Sequence, residues 1–254
     1  MSEHEGASGD EPREEREPMP EGSPPSPRPV PAREAVSIAF AVTIAAGAVI
    51  TFAFDPGRAG QSAIVASLGA LYALLGAVAV VRLHRRGELR ESFRRVSGDV
   101  TFGAVVAGAL YGAARILLPM IAGHGSAREA WIMRLYLQIG DTAEKGRLIG
   151  LGVLVVAALE ELTWRGLAMR ALHDAFGARR ALVYSTLLAG LAHLPTVFLL
   201  RDPTAGWNPL VLLGAVGCGL VWGAMVWRTG RMVPALVAHA LFSWAVIELP
   251  LWRL

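Results

Sequence analysis

The chain has 254 residues, 54% of them hydrophobic, and a formal net charge of +3. A soluble domain of this length carries more polar surface, and the charges here crowd into the first 34 residues and a few short breaks. The basic residues flank apolar runs, where they face lipid headgroups or set topology, so no nucleic-acid partner is expected. Cys218 is the only cysteine, which excludes an internal disulfide and a thiolate metal cluster.

Residues 1–34 hold the run Pro18-Met19-Pro20-Glu21-Gly22-Ser23-Pro24-Pro25-Ser26-Pro27, preceded by Glu11, Glu14, Glu15 and Glu17. Such a segment neither forms a helix nor buries a core, and it reads as a disordered cytoplasmic tail. Apolar segments follow at 35–54, 63–81, 100–122, 148–170, 181–200, 209–227 and 232–249. Each is close to the roughly 20 residues that cross the hydrocarbon as a helix. The expected fold is all-α, a polytopic transmembrane helical bundle of about seven spans whose partner is the lipid bilayer. It divides into a three-span region (35–122), an interfacial segment (123–147) with Trp131 and Tyr136 at headgroup level, and a four-helix core (148–254).

Arginines fix the expected orientation. Arg82, Arg85, Arg86, Arg90, Arg94 and Arg95 join the second and third segments. Arg170, Arg179 and Arg180 join the fourth and fifth, and Arg228 and Arg231 the sixth and seventh. These connections should be cytoplasmic; Ala127–Arg147, with four basic residues on the outer side, is the exception. Lys145 is the only lysine, and with abundant Ala, Gly, Val and Pro this points to a GC-rich, bacterial source and an inner-membrane location.

Ionisable residues inside a span cost about 2.5–3.5 kcal/mol each on insertion scales, so they need a reason. Here they are Arg115, Glu160, Glu161, Arg165, His193, His239 and Glu248. Glu161 and Arg165 stand four apart and share a helix face. Glu160 is rotated about 100° from Glu161 and points at a different neighbour. At about 1.5 Å per residue, Glu160, His193 and His239 lie about 15, 18 and 10 Å from the cytoplasmic ends of three separate spans. One shared site is the expectation; a structural ion-pair network is the plain alternative. Gly219 and Gly223, four apart, read as a close-packing face.

The run Glu160-Glu161-Leu162-Thr163-Trp164-Arg165 resembles the Glu-Glu-x-x-x-Arg motif of the CPBP family (CAAX protease and bacteriocin-processing, also called ABI). The family's second motif is a histidine in the next span, matched by His193, with Ala189 at the position where Phe is common. The third is His followed four later by Asn, matched by His239 and Ser243. The lead-in Gly219-Leu220-Val221-Trp222-Gly223 and the stretch Thr229–His239 are also similar. The resemblance covers about residues 148–247 and extends to sorting-type, myxosortase-like members that remove C-terminal anchors.

The resemblance implies an intramembrane endopeptidase that works without a metal or other cofactor. Glu160 would be the general base, with His193 binding the attacking water. His239 and Ser243 would stabilise the oxyanion, Ser243 standing in for the family's Asn, and Glu161 and Arg165 would support. Losing an oxyanion donor costs about 10²–10³ in rate. The implied substrates are proteins or peptides with a membrane-embedded C-terminal region. Competing readings are a zinc protease, which lacks a His-Glu-x-x-His run, a non-catalytic scaffold or immunity protein of the same fold, and a proton-coupled transporter.

Overall fold

The computed structural model describes residues 29–140 and 147–251. Most of the expected tail and residues 141–146 of the expected interfacial segment lie outside these. The tail's last three residues instead open the first helix, α1 (Ala32–Ala53). Glu34 sits in its first turn, where a carboxylate complements the helix dipole, and pairs with Arg82 at 3.1 Å. Then come α2 (Ala63–Arg85), the short α3 (Leu89–Ser92), α4 (Asp99–Ile121) and α5 (Glu129–Ile139). The next helix, α6 (Arg147–Glu161), runs into a π-helical stretch (Leu162–Ala168) and then α7 (Met169–Phe176). The chain finishes with α8 (Ala178–Leu199), α9 (Leu210–Thr229) and α10 (Val233–Glu248). Apart from one isolated bridge, Asp202 to Gly206, the described residues are helix and loop.

The molecule is a helical membrane bundle, but among the described residues about five helices rather than seven are long and apolar enough to cross. These are α1, α2, α4, α8 and α9. The expected fourth span is interrupted: α6 has 15 residues before the winding changes, which is about 22 Å of helix against about 30 Å of hydrocarbon. It also carries the ionisable residues that lower its hydropathy. The expected seventh span is α10, with only 16 residues.

Large apolar side chains on the outside follow from this environment. Ile44, Leu74, Val105, Ile116 and Met120 are all more than 60% exposed. In water such a belt would drive aggregation, whereas in lipid it is already solvated. The interior is built around Trp164, Tyr72, Ile50 and Trp222.

At one end of the bundle, the arginine-rich connections clasp one another. Arg86 reaches Glu88 at 2.7 Å and Asp174 at 2.8 Å. Arg170 reaches Glu88 at 3.1 Å and the Ser92 hydroxyl at 2.8 Å. Arg231 makes a two-pronged pair with Asp99 at 2.7 and 3.0 Å, and the Met232 amide donates to the Ser92 carbonyl. The first three long helices are thereby tied to the chain from α7 onward. The expected interfacial helix turns inward at the other end. Trp131 is buried and its indole N–H donates to Gly206, while the Tyr136 hydroxyl donates to the Val246 carbonyl at 2.7 Å. Burial raises the Tyr136 phenol to about 12.

Helix α10 packs most extensively on α4 and α6. At Gly103 of α4, an added Cβ would lie 2.6 Å from the Pro234 carbonyl oxygen and 2.8 Å from Val237. Gly103→Ala should therefore push α4 off α10 and destabilise the fold by about 1–3 kcal/mol. Gly108→Ala, one face round with nothing within 4 Å, should be neutral or mildly stabilising. Unfolding midpoints of the two variants in detergent check the contrast.

Candidate active site

Glu161 is fully buried at the end of α6, and its Oε1 accepts from Arg165 at 3.1 Å. Arg165 lies in the π-helical stretch, also buried, and its second Nη donates to the Gly219 carbonyl of α9 at 2.6 Å. The pair expected from the i, i+4 spacing is therefore present. It is also anchored to a third helix through a glycine that leaves room for the guanidinium: a Cβ at Gly219 would come within 3.4 Å of Arg165. Gly223, one turn on, packs against Leu182 of α8.

The same Oε1 of Glu161 lies 2.9 Å from Nδ1 of His239, on α10. A carboxylate held by an arginine accepts only, so His239 Nδ1 carries the proton and donates. In the neutral ring Nε2 then bears a lone pair, and it faces Glu160 Oε2 at 4.0 Å. Trp222 of α9 stacks on the imidazole, with centroids 3.7 Å apart and planes 17° from parallel. The His239 ring is thus fixed by a carboxylate at one nitrogen and by an aromatic plane along its face, and only Nε2 is left to react.

Glu160 is half-buried. Its Oε1 accepts from the Tyr72 hydroxyl of α2 at 3.5 Å. Glu160, Glu161, Arg165 and His239 are thus brought together. His193 is placed differently: its Nδ1 donates to the Ala189 carbonyl one turn back at 2.8 Å, which leaves Nε2 as the acceptor, and among the described residues no carboxylate lies within 4.0 Å of its ring nitrogens. Ser243, one turn beyond His239, is half-buried and is not among the residues joined to the cluster. Two neighbours escaped the sequence reading. Trp222 stood inside a quoted motif without a role. Tyr72 carried a usable signal, since a phenol in the middle of an apolar span needs a partner. Among the described residues no group of three or more His, Cys, Asp or Glu side chains has the arrangement to hold a metal ion.

Residues 146–245 match the family model for type II CAAX prenyl endopeptidase, Rce1-like. The matched stretch is similar to the Rce1-like family. This is the CPBP assignment to which the Glu-Glu-x-x-x-Arg and histidine motifs pointed. The match spans α6 to α9 and most of α10, with all six candidate site residues, and the family it resembles is one of proteases. Neither a curated protein nor a solved structure matches the chain. Helices α1 to α5 lie outside the Rce1-like stretch, including Tyr72.

Glu161→Gln would leave the buried Arg165 without its counter-charge. Removing one partner of a buried pair costs about 3–5 kcal/mol, so this variant should accumulate poorly in membranes. Glu160→Gln, half-buried and without an arginine, should accumulate like wild type. Quantified membrane levels and unfolding midpoints of the two check this.

Proposed function

We propose that the protein is an intramembrane endopeptidase in which Glu160 activates a water molecule against a peptide bond. The observation that carries the reading is the pairing of Glu160 Oε2 with His239 Nε2 across 4.0 Å, inside an Rce1-like stretch. Both atoms accept hydrogen bonds, so the molecule that suits the space between them offers two donors. An oxygen about 2.8 Å from each would subtend about 90°, close to the angle between the hydrogens of water. Water held so keeps its lone pairs free.

Chemically, Glu160 takes one proton as the water oxygen bonds to the scissile carbonyl carbon. The tetrahedral intermediate then collapses, the C–N bond breaks, and the departing amine leaves with that proton. His239 Nε2 receives the water's second proton from the new carboxyl group as the product carboxylate forms, with Glu161 balancing the charge of the imidazolium. His193 and Ser243 are the remaining candidates to bind the water or the oxyanion.

The Rce1-like family name supports a substrate cut near a C-terminal, membrane-anchored end, whether a CAAX-type prenylated terminus or an anchor of the sorting type. A scaffold of the same fold is the second reading, favoured by Ala189 and Ser243 at two motif positions.

Terminus-resolved proteomics of native-host membranes tests the proposal with wild type, Glu160→Gln, His193→Ala and His239→Ala at matched levels. New protein C-termini should appear with wild type and fall by about 10²-fold or more in Glu160→Gln. Identical termini in all four strains, alongside a phenotype on deletion, would establish the scaffold instead.

A further inference from the structure

One face of α2 is shaped to the helix that bears the glutamates. Gly69, Tyr72, Gly76 and Ala79 recur at helical spacing of three and four. An added Cβ on Gly69 would touch Val156 at 3.6 Å, and one on Gly76 would touch Leu162 at 3.6 Å. Ala79 lies 3.6 Å from where a Cβ on Gly166 would stand. The two helices therefore run side by side in the same direction, with small residues of α2 letting the backbones approach. Tyr72 is the one large residue in this row, 1% exposed, and its hydroxyl ends on Glu160 Oε1.

We propose that Tyr72 is a positioning residue for Glu160, holding one carboxylate oxygen so that the other faces His239. The proposal rests on the reading of Glu160 as the base and adds a part of the site from outside the Rce1-like stretch. A phenol can donate only one hydrogen, and here the carboxylate receives it. The Trp164 indole N–H, also buried, makes no hydrogen bond of its own. The charged and titratable groups facing Glu160 are Tyr72 from α2 and His239 from α10, with Glu161 and Arg165 behind them. Removing the hydroxyl leaves Glu160 free to rotate and takes away a donor that favours its ionised form.

The test does not need a known substrate. Full-length protein in lipid vesicles is treated at neutral pH with dicyclohexylcarbodiimide, which adds to protonated carboxyl groups in apolar surroundings, and modified residues are located by mass spectrometry. Tyr72→Phe should raise labelling at Glu160 about three- to tenfold, the range expected on losing an ordinary hydrogen bond at this long separation of 3.5 Å. Glu161, held by Arg165 and His239, should not change, and the unfolding midpoint should stay near wild type. Equal labelling of Glu160 in the two proteins overturns the proposal. So does a parallel rise at Glu160 and Glu161, the mark of general loosening. If Tyr72→Phe fails to accumulate, Tyr72→Met, which also lacks the hydroxyl, is read the same way. Where cleaved proteins have been identified by their termini, Tyr72→Phe should lower kcat on them with KM unchanged. Failure of the proteolytic reading would show as absent cleavage in wild type, while the labelling still decides the Tyr72 contact.

Discussion

A buried carboxylate–guanidinium pair organises this protein. Glu161 and Arg165 are removed from water, and each ion would be costly to bury alone. Their mutual contact meets part of that cost, and more is met by neighbours that must come from elsewhere in the chain, although Glu161 Oε2 and Arg165 Nε stay without a hydrogen-bond partner. Arg165 takes the Gly219 carbonyl of α9, and Glu161 takes the His239 ring of α10. The pair therefore requires three segments of the Rce1-like stretch to meet at one depth. It also sets the chemistry, since a histidine whose Nδ1 is committed to a carboxylate has a defined tautomer at Nε2. The Glu-His arrangement is familiar from hydrolytic sites in which a carboxylate orients an imidazole without itself reacting. Here it is followed by a second glutamate facing the free nitrogen.

The first three long helices are more than an anchor for this cluster. Helix α2 lies along α6 through Gly69 and Gly76, α4 closes on α10 at Gly103, and α1 lies against α8. The ion-pair clasp of Arg86, Glu88, Arg170, Asp174 and Ser92 fixes the register of the first region against α7. The clasp of Asp99 and Arg231 does the same for α4 at the foot of α10. From the Met232 amide bonded to Ser92, α10 rises two turns to His239. The register of that histidine against Glu161 is therefore set by polar contacts at the end of the bundle and by packing along it.

Much of this was legible in the sequence, for definite physical reasons. Long apolar runs cannot be hidden in a chain of this length, so the helical membrane bundle followed from them. The i, i+4 spacing of Glu161 and Arg165 specified their contact, since four residues return to nearly the same face in an α or a π winding. The partner of His239 was not legible in that way. Helices α6 and α10 are far apart in sequence, and no periodicity says which of two adjacent glutamates a distant histidine will meet. Trp222 and Tyr72 were hidden for the same reason: stacking and hydrogen bonding across helices depend on register. The inward turn of Trp131 and Tyr136 likewise depended on partners far along the chain: Gly206 accepts from the Trp131 indole, Asn208 donates to the Trp131 carbonyl, and Val246 accepts from the Tyr136 hydroxyl.

The span count failed where the site lies. Residues 148–170 are apolar enough on average to read as one crossing helix, but the winding changes at Leu162, one residue after the glutamates. A π-helical stretch widens the helix and misaligns its backbone hydrogen bonds, which is costly in an ordinary membrane span, and such stretches are frequent at functional sites. The cost is tolerable here because every residue from Thr163 to Ala168 is buried in protein rather than lipid. A uniform α-helix would repeat every 3.6 residues and carry Trp164, Arg165 and Gly166 steadily around its axis. Within the wider turn Arg165 reaches both Glu161 and Gly219 while Trp164 stays fully buried. The interruption that lowers the count of crossing helices is thus the same feature that assembles the charged cluster. A segment that must place two carboxylates and a guanidinium inside a membrane cannot also be a featureless span.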